Sequence, residues 1–405
     1  MLHDVAKHCA STGKCPENGE FWPNPNLAAF YRILGTGEDW AAYALYDFIG
    51  PAAAFGLLGV VALTTLAAAL LHGPALAGLG LIGAYLTPLI IVSSEPNYWA
   101  LYLYLGVTTA AAFALARARL WRWLAVTAII FGVLWTLPGL GDYRLDWLAP
   151  HDFHAVAGFV LAAVLIVSNF LLGPQAPPGR IDAVSSAALA AYLLASTLIV
   201  LASRHDPIAL ATNTALVAAT IAIAWRAEPA TAAVPAAAVL TVLVFADWAL
   251  RLDTAHLMAP SGPTAPAIPE PASVNYASHL VLGVLFAALF AVPGFLAQGR
   301  SERPIAPMLW SASAVFAPIA VLAALYYRIA GLDRSVPFAG VALLLAALFA
   351  LATEAMGKRE PRPGMAASGA IFATGAVAAL ALALTMALER GWLTIGLALM
   401  VPGIA

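Results

Sequence analysis

Charge is the first thing this chain lacks. Only 10% of its 405 residues are Asp, Glu, Lys or Arg, against roughly 25% in an ordinary soluble domain. A water-soluble fold of that composition would expose apolar patches large enough to aggregate. The formal net charge of −2 offers no basic surface for nucleic acid, and no nucleic-acid partner is expected. Cysteine is almost missing as well. Cys9 and Cys15 are the two present, both in the N-terminal tail. Such a pair does not make a metal site by itself, although it can cross-link in an oxidising compartment. Residues 1–39 hold no basic start followed by an apolar core, so insertion is expected to rely on internal hydrophobic segments. No HExxH motif, phosphate-cradling glycine loop or nucleophile elbow occurs, nor a strong internal repeat. No motif calls for a cofactor. Carboxylates are nearly absent from the middle of the apolar runs, which counts against proton-driven transport but leaves sodium-coupled or uncoupled transport open. Alternation with period two is also absent, which argues against an outer-membrane barrel.

What the chain has is apolar length. Hydrophobic residues make up 62% of it, and the mean hydropathy is +0.87. A membrane helix needs about 20 mainly apolar residues to cross a hydrocarbon core about 30 Å thick. With no water there to satisfy the backbone, helices are the expected form. Twelve segments qualify: residues 52–71, 74–92, 98–116, 120–137, 153–172, 183–202, 208–225, 231–250, 276–297, 308–327, 337–356 and 366–388. Two apolar pieces, 40–48 and 392–405, resemble parts of further helices. The expectation is an all-α polytopic transmembrane helix bundle of about 12–14 spans, with the lipid bilayer as its partner. Residues 1–40 would form a polar tail and 41–405 the multi-pass domain. Trp99, Trp121, Trp123, Trp135, Trp225, Trp248, Trp310 and Trp392 fall near segment ends, where indole prefers the membrane–water interface.

Basic residues cluster on one parity of the loops: Arg117, Arg119 and Arg122, then Arg300 and Arg303, then Lys358, Arg359 and Arg362. The positive-inside rule puts that side in the cytoplasm. The tail and the proline-rich segment 251–275 then face outward.

The stretch "LGLIGAYLTPLIIVSSEPNYWALYLYL" predicts close packing. Gly80 and Ala84, and Gly83 and Thr87, are four apart, so small surfaces stack on one helix. Pro88 cannot donate to the carbonyl of Ala84, so the helix should bend there. That carbonyl is either taken by a packing neighbour or left facing a substrate path.

His151 and His154 in "PHDFH", His205 in "SRHDP", His256 and His279 share the parity expected to face outward, with Asp152, Asp206, Asp247 and Asp253 close in sequence. Histidine and aspartate together can ligate a metal or run acid–base chemistry. His151, Asp152, His154, His205 and Asp206 are therefore the candidate catalytic residues, weighed against plain interfacial side chains that share no site. Asp247 with Arg251, and Glu354 with Lys358, have the spacing of helical ion pairs. Asn169 and Asn213 read as embedded amides that tie helices together.

From about residue 41 to 137 the chain resembles the domain-of-unknown-function 2339 family of multi-pass bacterial membrane proteins. The residues that carry this are "AAYALYDFIGPAAAFGLLGVVAL", "ALAGLGLIGAYLTPLIIVSSEPNYWALYLYLGV" and "ARARLWRWLAVTAIIFGVLW". Within them Gly80, Gly83, Thr87, Pro88, Leu101, Tyr104 and the Arg119–Trp123 turn match the family pattern. Residues 138–405 share its style more loosely. The resemblance implies an inner-membrane protein of the bacterial cell envelope and carries over no reaction or catalytic residue. Family members are longer, so this chain is expected to be truncated relative to them. Three roles remain open: transport or flipping of an envelope precursor, a membrane-embedded transferase or hydrolase with an outward-facing His/Asp site, and a scaffold in an envelope complex. No protein partner can be named from the residues, and whether the chain is an enzyme stays open.

Overall fold

The computed structural model describes residues 51–90, 97–140, 145–251 and 276–388. Every regular element among them is helical. The helices are α1 (Pro51–His72), α2 (Pro74–Ile90), α3 (Tyr98–Arg119), α4 (Arg122–Leu134), α5 (Leu148–Leu165) and α6 (Ala183–Ala202). They continue as α7 (Pro207–Arg226), α8 (Ala233–Leu250), α9 (Ala277–Leu296), α10 (Ile305–Ala330), α11 (Val336–Gly357) and α12 (Met365–Ala387). Among the described residues nine, α3 and α5 to α12, are long and apolar enough to cross a membrane. The protein is an all-helical polytopic membrane bundle. The pieces at 40–48 and 392–405 lie outside the described residues, as do Cys9, Cys15 and His256.

Two boundaries depart from the hydropathy pattern. α4 is regular for only 13 residues, or about 20 Å at 1.5 Å per residue. It finishes in a tightened turn, where the N–H groups of Thr136 and Leu137 bond three residues back, to Val133 and Leu134. Pro138 then stops it. α5 begins at Leu148, not Phe153, and ends at Leu165, not Leu172. Pro150 is no obstacle in a first turn, where its N–H would be unpaired anyway. At the far end the apolar run 166–172 leaves the helix. Asn169 adopts a left-handed backbone (φ 57°) and clasps Ala176 through both its amide nitrogen and its oxygen, each at 2.9 Å. Asn169 is thus a loop clasp and not the embedded amide its surroundings suggested. Asn213 behaves as expected: its amide reaches Ser196 and Thr197 on α6, both at 3.3 Å.

α6 lies at the centre and touches α4, α5, α7 and α8. α9, α11 and α12 are the least enclosed. Leu343, Leu344, Leu348 and Leu351 of α11 all point outward. That face is reasonable only if the surrounding solvent is lipid.

The turns gather at two ends. At one, Arg117 donates to the Leu172 carbonyl (2.7 Å), Asp182 N–H to the Pro229 carbonyl (2.9 Å), and Arg362 to the Gly299 carbonyl (2.7 Å). At the other, Arg328 donates to the Arg251 carbonyl (2.5 Å) and Ser335 N–H to the Met386 carbonyl (2.8 Å). We call these the arginine end and the histidine end.

The α2 stretch packs as its glycines suggest, but only in part. A Cβ on Gly80 would lie 3.0 Å from Thr65 Oγ1 of α1, whereas one on Gly83 would meet nothing within 4 Å. Gly83 is therefore not a point of close approach. Thr87 Oγ1 returns to the Gly83 carbonyl at 2.6 Å. The carbonyl that Pro88 leaves free, that of Ala84, accepts from the Tyr104 hydroxyl of α3 at 2.8 Å. A packing neighbour takes it.

Candidate functional site

At the histidine end, α5 brings His151, Asp152 and His154 into its first turns, so all three are helical and buried. The ring of His151 has a main-chain carbonyl against each nitrogen: Trp147 O at 2.7 Å from Nδ1 and Pro138 O at 2.8 Å from Nε2. A neutral imidazole donates to only one of these at a time. His154 Nε2 meets the Gly132 carbonyl at 2.8 Å, and its ring stacks on Tyr102 with centroids 4.5 Å apart. Both histidines thus tie α5 to α4 and to the turn after it. Asp152 accepts a long 3.5 Å bond from Thr212, and its Oδ1 is buried with no partner.

His205 and Asp206 occupy the turn between α6 and α7. Asp206 caps α7, its Oδ1 accepting from Ile208 N–H at 2.8 Å. His205 is held with φ 65° and pairs with Asp247 of α8 (Nε2 to Oδ2, 3.0 Å). Asp247 also takes Arg251 Nε at 2.6 Å, the ion pair expected from helical spacing. Lys358 and Glu354 make the other one, at 2.5 Å. Burial of the His205 ring pulls its pKa below the ordinary value, and the Asp247 carboxylate only partly offsets this. Across from it, His279 stacks on Trp248 at 4.1 Å. So His205 sits with Asp247 and His279, while His151 and His154 sit with Tyr98, Tyr102 and Trp147. Among the described residues no three His, Cys, Asp or Glu side chains are grouped to hold a metal ion.

The arginine end carries a feature that the residue pattern did not predict. A cleft of about 280 Å³ opens between the α3–α4 turn and the segment linking α5 to α6. Arg117, Arg122 and Arg180 line it together with Leu120, Trp121 and Leu165. Asp182 lines it too, but is fully engaged. Its Oδ1 pairs with Arg122, and its Oδ2 accepts from the Ser185 N–H (2.8 Å) and hydroxyl (2.7 Å). Burial by itself would raise the Asp182 pKa, yet the Ser185 bonds and the Arg122 guanidinium outweigh it and hold the carboxyl below its usual range.

A family model described as "Predicted membrane protein (DUF2339)" matches residues 39–405. The chain belongs to the DUF2339 family. The DUF2339 match runs through α12 and beyond, well past residue 137, where the resemblance in the sequence is clearest. No curated protein and no solved structure matches the chain. The DUF2339 description names no reaction, so any chemistry has to be argued from this chain. The basic cluster near Arg117 was legible as a topology signal. That Arg180 and Asp182 would join it was not, because 60 or more residues separate them from Arg117 and only the fold closes that gap.

Proposed function

We propose that this DUF2339 protein transports or flips an amphiphilic envelope precursor across the bacterial inner membrane, taking it up at the arginine end. The observation that carries the reading is the cleft there, which puts a cationic rim over an apolar floor. Trp121 and Trp123 beside it belong at headgroup depth. A soluble solute has no use for the floor, and a hydrocarbon has none for the rim. The arginine end faces the cytoplasm on this reading, where such precursors are made. The test is reconstitution into vesicles containing tail-labelled phosphatidylglycerol, with a membrane-impermeant quencher added outside. Loss of label from both leaflets is expected. Quenching of the outer leaflet alone, as in protein-free vesicles, overturns the proposal.

One observation favours a second reading, an outward-facing transferase or hydrolase built on His151, Asp152, His154, His205 and Asp206. Asp152 Oδ1 is buried without a partner, which is costly unless something binds it. Against it, the ring nitrogens of His151 already meet main-chain carbonyls.

A further inference from the structure

We infer that the cleft at the arginine end binds the phosphoryl headgroup of an anionic phospholipid, with Arg180 and Arg117 as its anchors and one acyl chain lying along the outward face of α4. The inference rests on the reading of the cleft as an amphiphile site and names the chemistry it selects.

The charges decide the headgroup. Asp182 is the only acidic residue on the cleft wall among the described residues, and Arg122 and Ser185 consume both of its oxygens. Arg122 is thereby neutralised. Arg117 spends its Nε on the Leu172 carbonyl, which orients the guanidinium and leaves its terminal nitrogens available. Arg180 makes no side-chain hydrogen bond or ion pair among the described residues, though it lies on the wall of the cleft. Two cations therefore remain uncompensated. A guanidinium fork matches phosphate oxygens in pairs, and such charge-assisted bonds are the strong ones. A zwitterionic lipid brings its own ammonium group to this rim and gains less.

The apolar part decides between a lipid and a free phosphate. Leu165, Ile166 and Val184 are the more enclosed apolar lining and Leu120 an exposed one, all of which an inorganic anion would leave unused. Trp123, Val126, Ile130 and Leu134 are all exposed at spacings of three and four along α4, and so share one face. That stripe starts at Trp123, next in sequence to Arg122 of the cleft wall, and runs the length of α4. An acyl chain can lie along it.

The test uses the full chain in detergent, titrated with short-chain phosphatidylglycerol, the matching phosphatidylcholine and inorganic phosphate, with bound lipid read by native mass spectrometry. Phosphatidylglycerol should bind saturably, and R180A and R117A should each weaken it about tenfold. R180E should abolish binding, and R359A, away from the cleft, should leave it unchanged. Arg180 is exposed and unpaired, so Tm should not move in R180A or R180E. Wild-type affinity in both R180A and R117A overturns the inference. Equal binding of phosphatidylcholine overturns the headgroup assignment, and competition by inorganic phosphate at similar concentration overturns the lipid. Arginine-dependent binding without translocation in vesicles leaves this site standing and removes the transport reading. Translocation with arginine-independent binding does the reverse.

Discussion

Replacing Tyr104 by Phe removes an interhelical hydrogen bond whose cost can be worked out in advance. Pro88 has no N–H, so the Ala84 carbonyl lacks its helical donor, and the Tyr104 hydroxyl supplies one from α3 at 2.8 Å. Ala84 and Tyr104 are 5% and 6% exposed, so neither water nor a headgroup can take over the role. An abandoned buried acceptor costs about 1–3 kcal/mol, while interhelical hydrogen bonds in membrane proteins average about 0.6 and reach about 1.7. The Tyr104→Phe variant should fall near the upper end of the second range, about 1–1.5 kcal/mol, because no alternative donor exists. Pro88→Ala provides the control, since it restores an N–H at the position that normally serves this carbonyl. In the Pro88→Ala background the same Tyr104→Phe change should cost much less, giving a coupling of about 1 kcal/mol. The measurement is reversible unfolding in mixed micelles with an increasing fraction of ionic detergent, followed by helical circular dichroism. Additivity of the two changes to within about 0.3 kcal/mol would falsify the assignment of the bond to the proline-freed carbonyl.

Three further outcomes follow from the packing and the charges. Gly158→Ala places a Cβ 2.1 Å from Cε1 of the fully buried Tyr192, so it should destabilise by about 1–3 kcal/mol in the same assay. The Tyr192 hydroxyl has no partner, so Tyr192→Phe should be neutral or stabilising; clear destabilisation would mean that the hydroxyl is bonded. The His205 pKa is lowered in the folded chain, so the unfolded state takes up a proton more readily as pH drops below about 6.5. Stability should therefore be flat above that pH and decline below it. Asp247 limits the decline, while Arg251 adds to it. His205→Asn tolerates the left-handed backbone and should flatten this part of the profile. An unchanged slope would assign it to other groups.

Much of the architecture is readable in the sequence, and the reason is solvent. In lipid a backbone must satisfy its own hydrogen bonds, so apolar runs of about 20 residues have one available form. That is why ten of the twelve segments match helices of the structure closely. It is also why the ion pairs Asp247–Arg251 and Glu354–Lys358, which depend only on helical spacing, formed as expected. Hydropathy misplaced α5 because composition does not distinguish a helix from an apolar loop clasped by Asn169. The close approach at Gly80 and its absence at Gly83 were indistinguishable by spacing, since spacing says nothing about which neighbour lies opposite. The candidate site was the least legible. A shared loop parity suggested His151 with His205, yet folding gave His205 to Asp247, 42 residues on, and His151 to two carbonyls. Local order and solvent class follow from each residue and its near neighbours, so composition and period decide them. The cleft of Arg117, Arg122, Arg180 and Asp182 exists only because separate helices end at one level, and that meeting is encoded in how the helices pack.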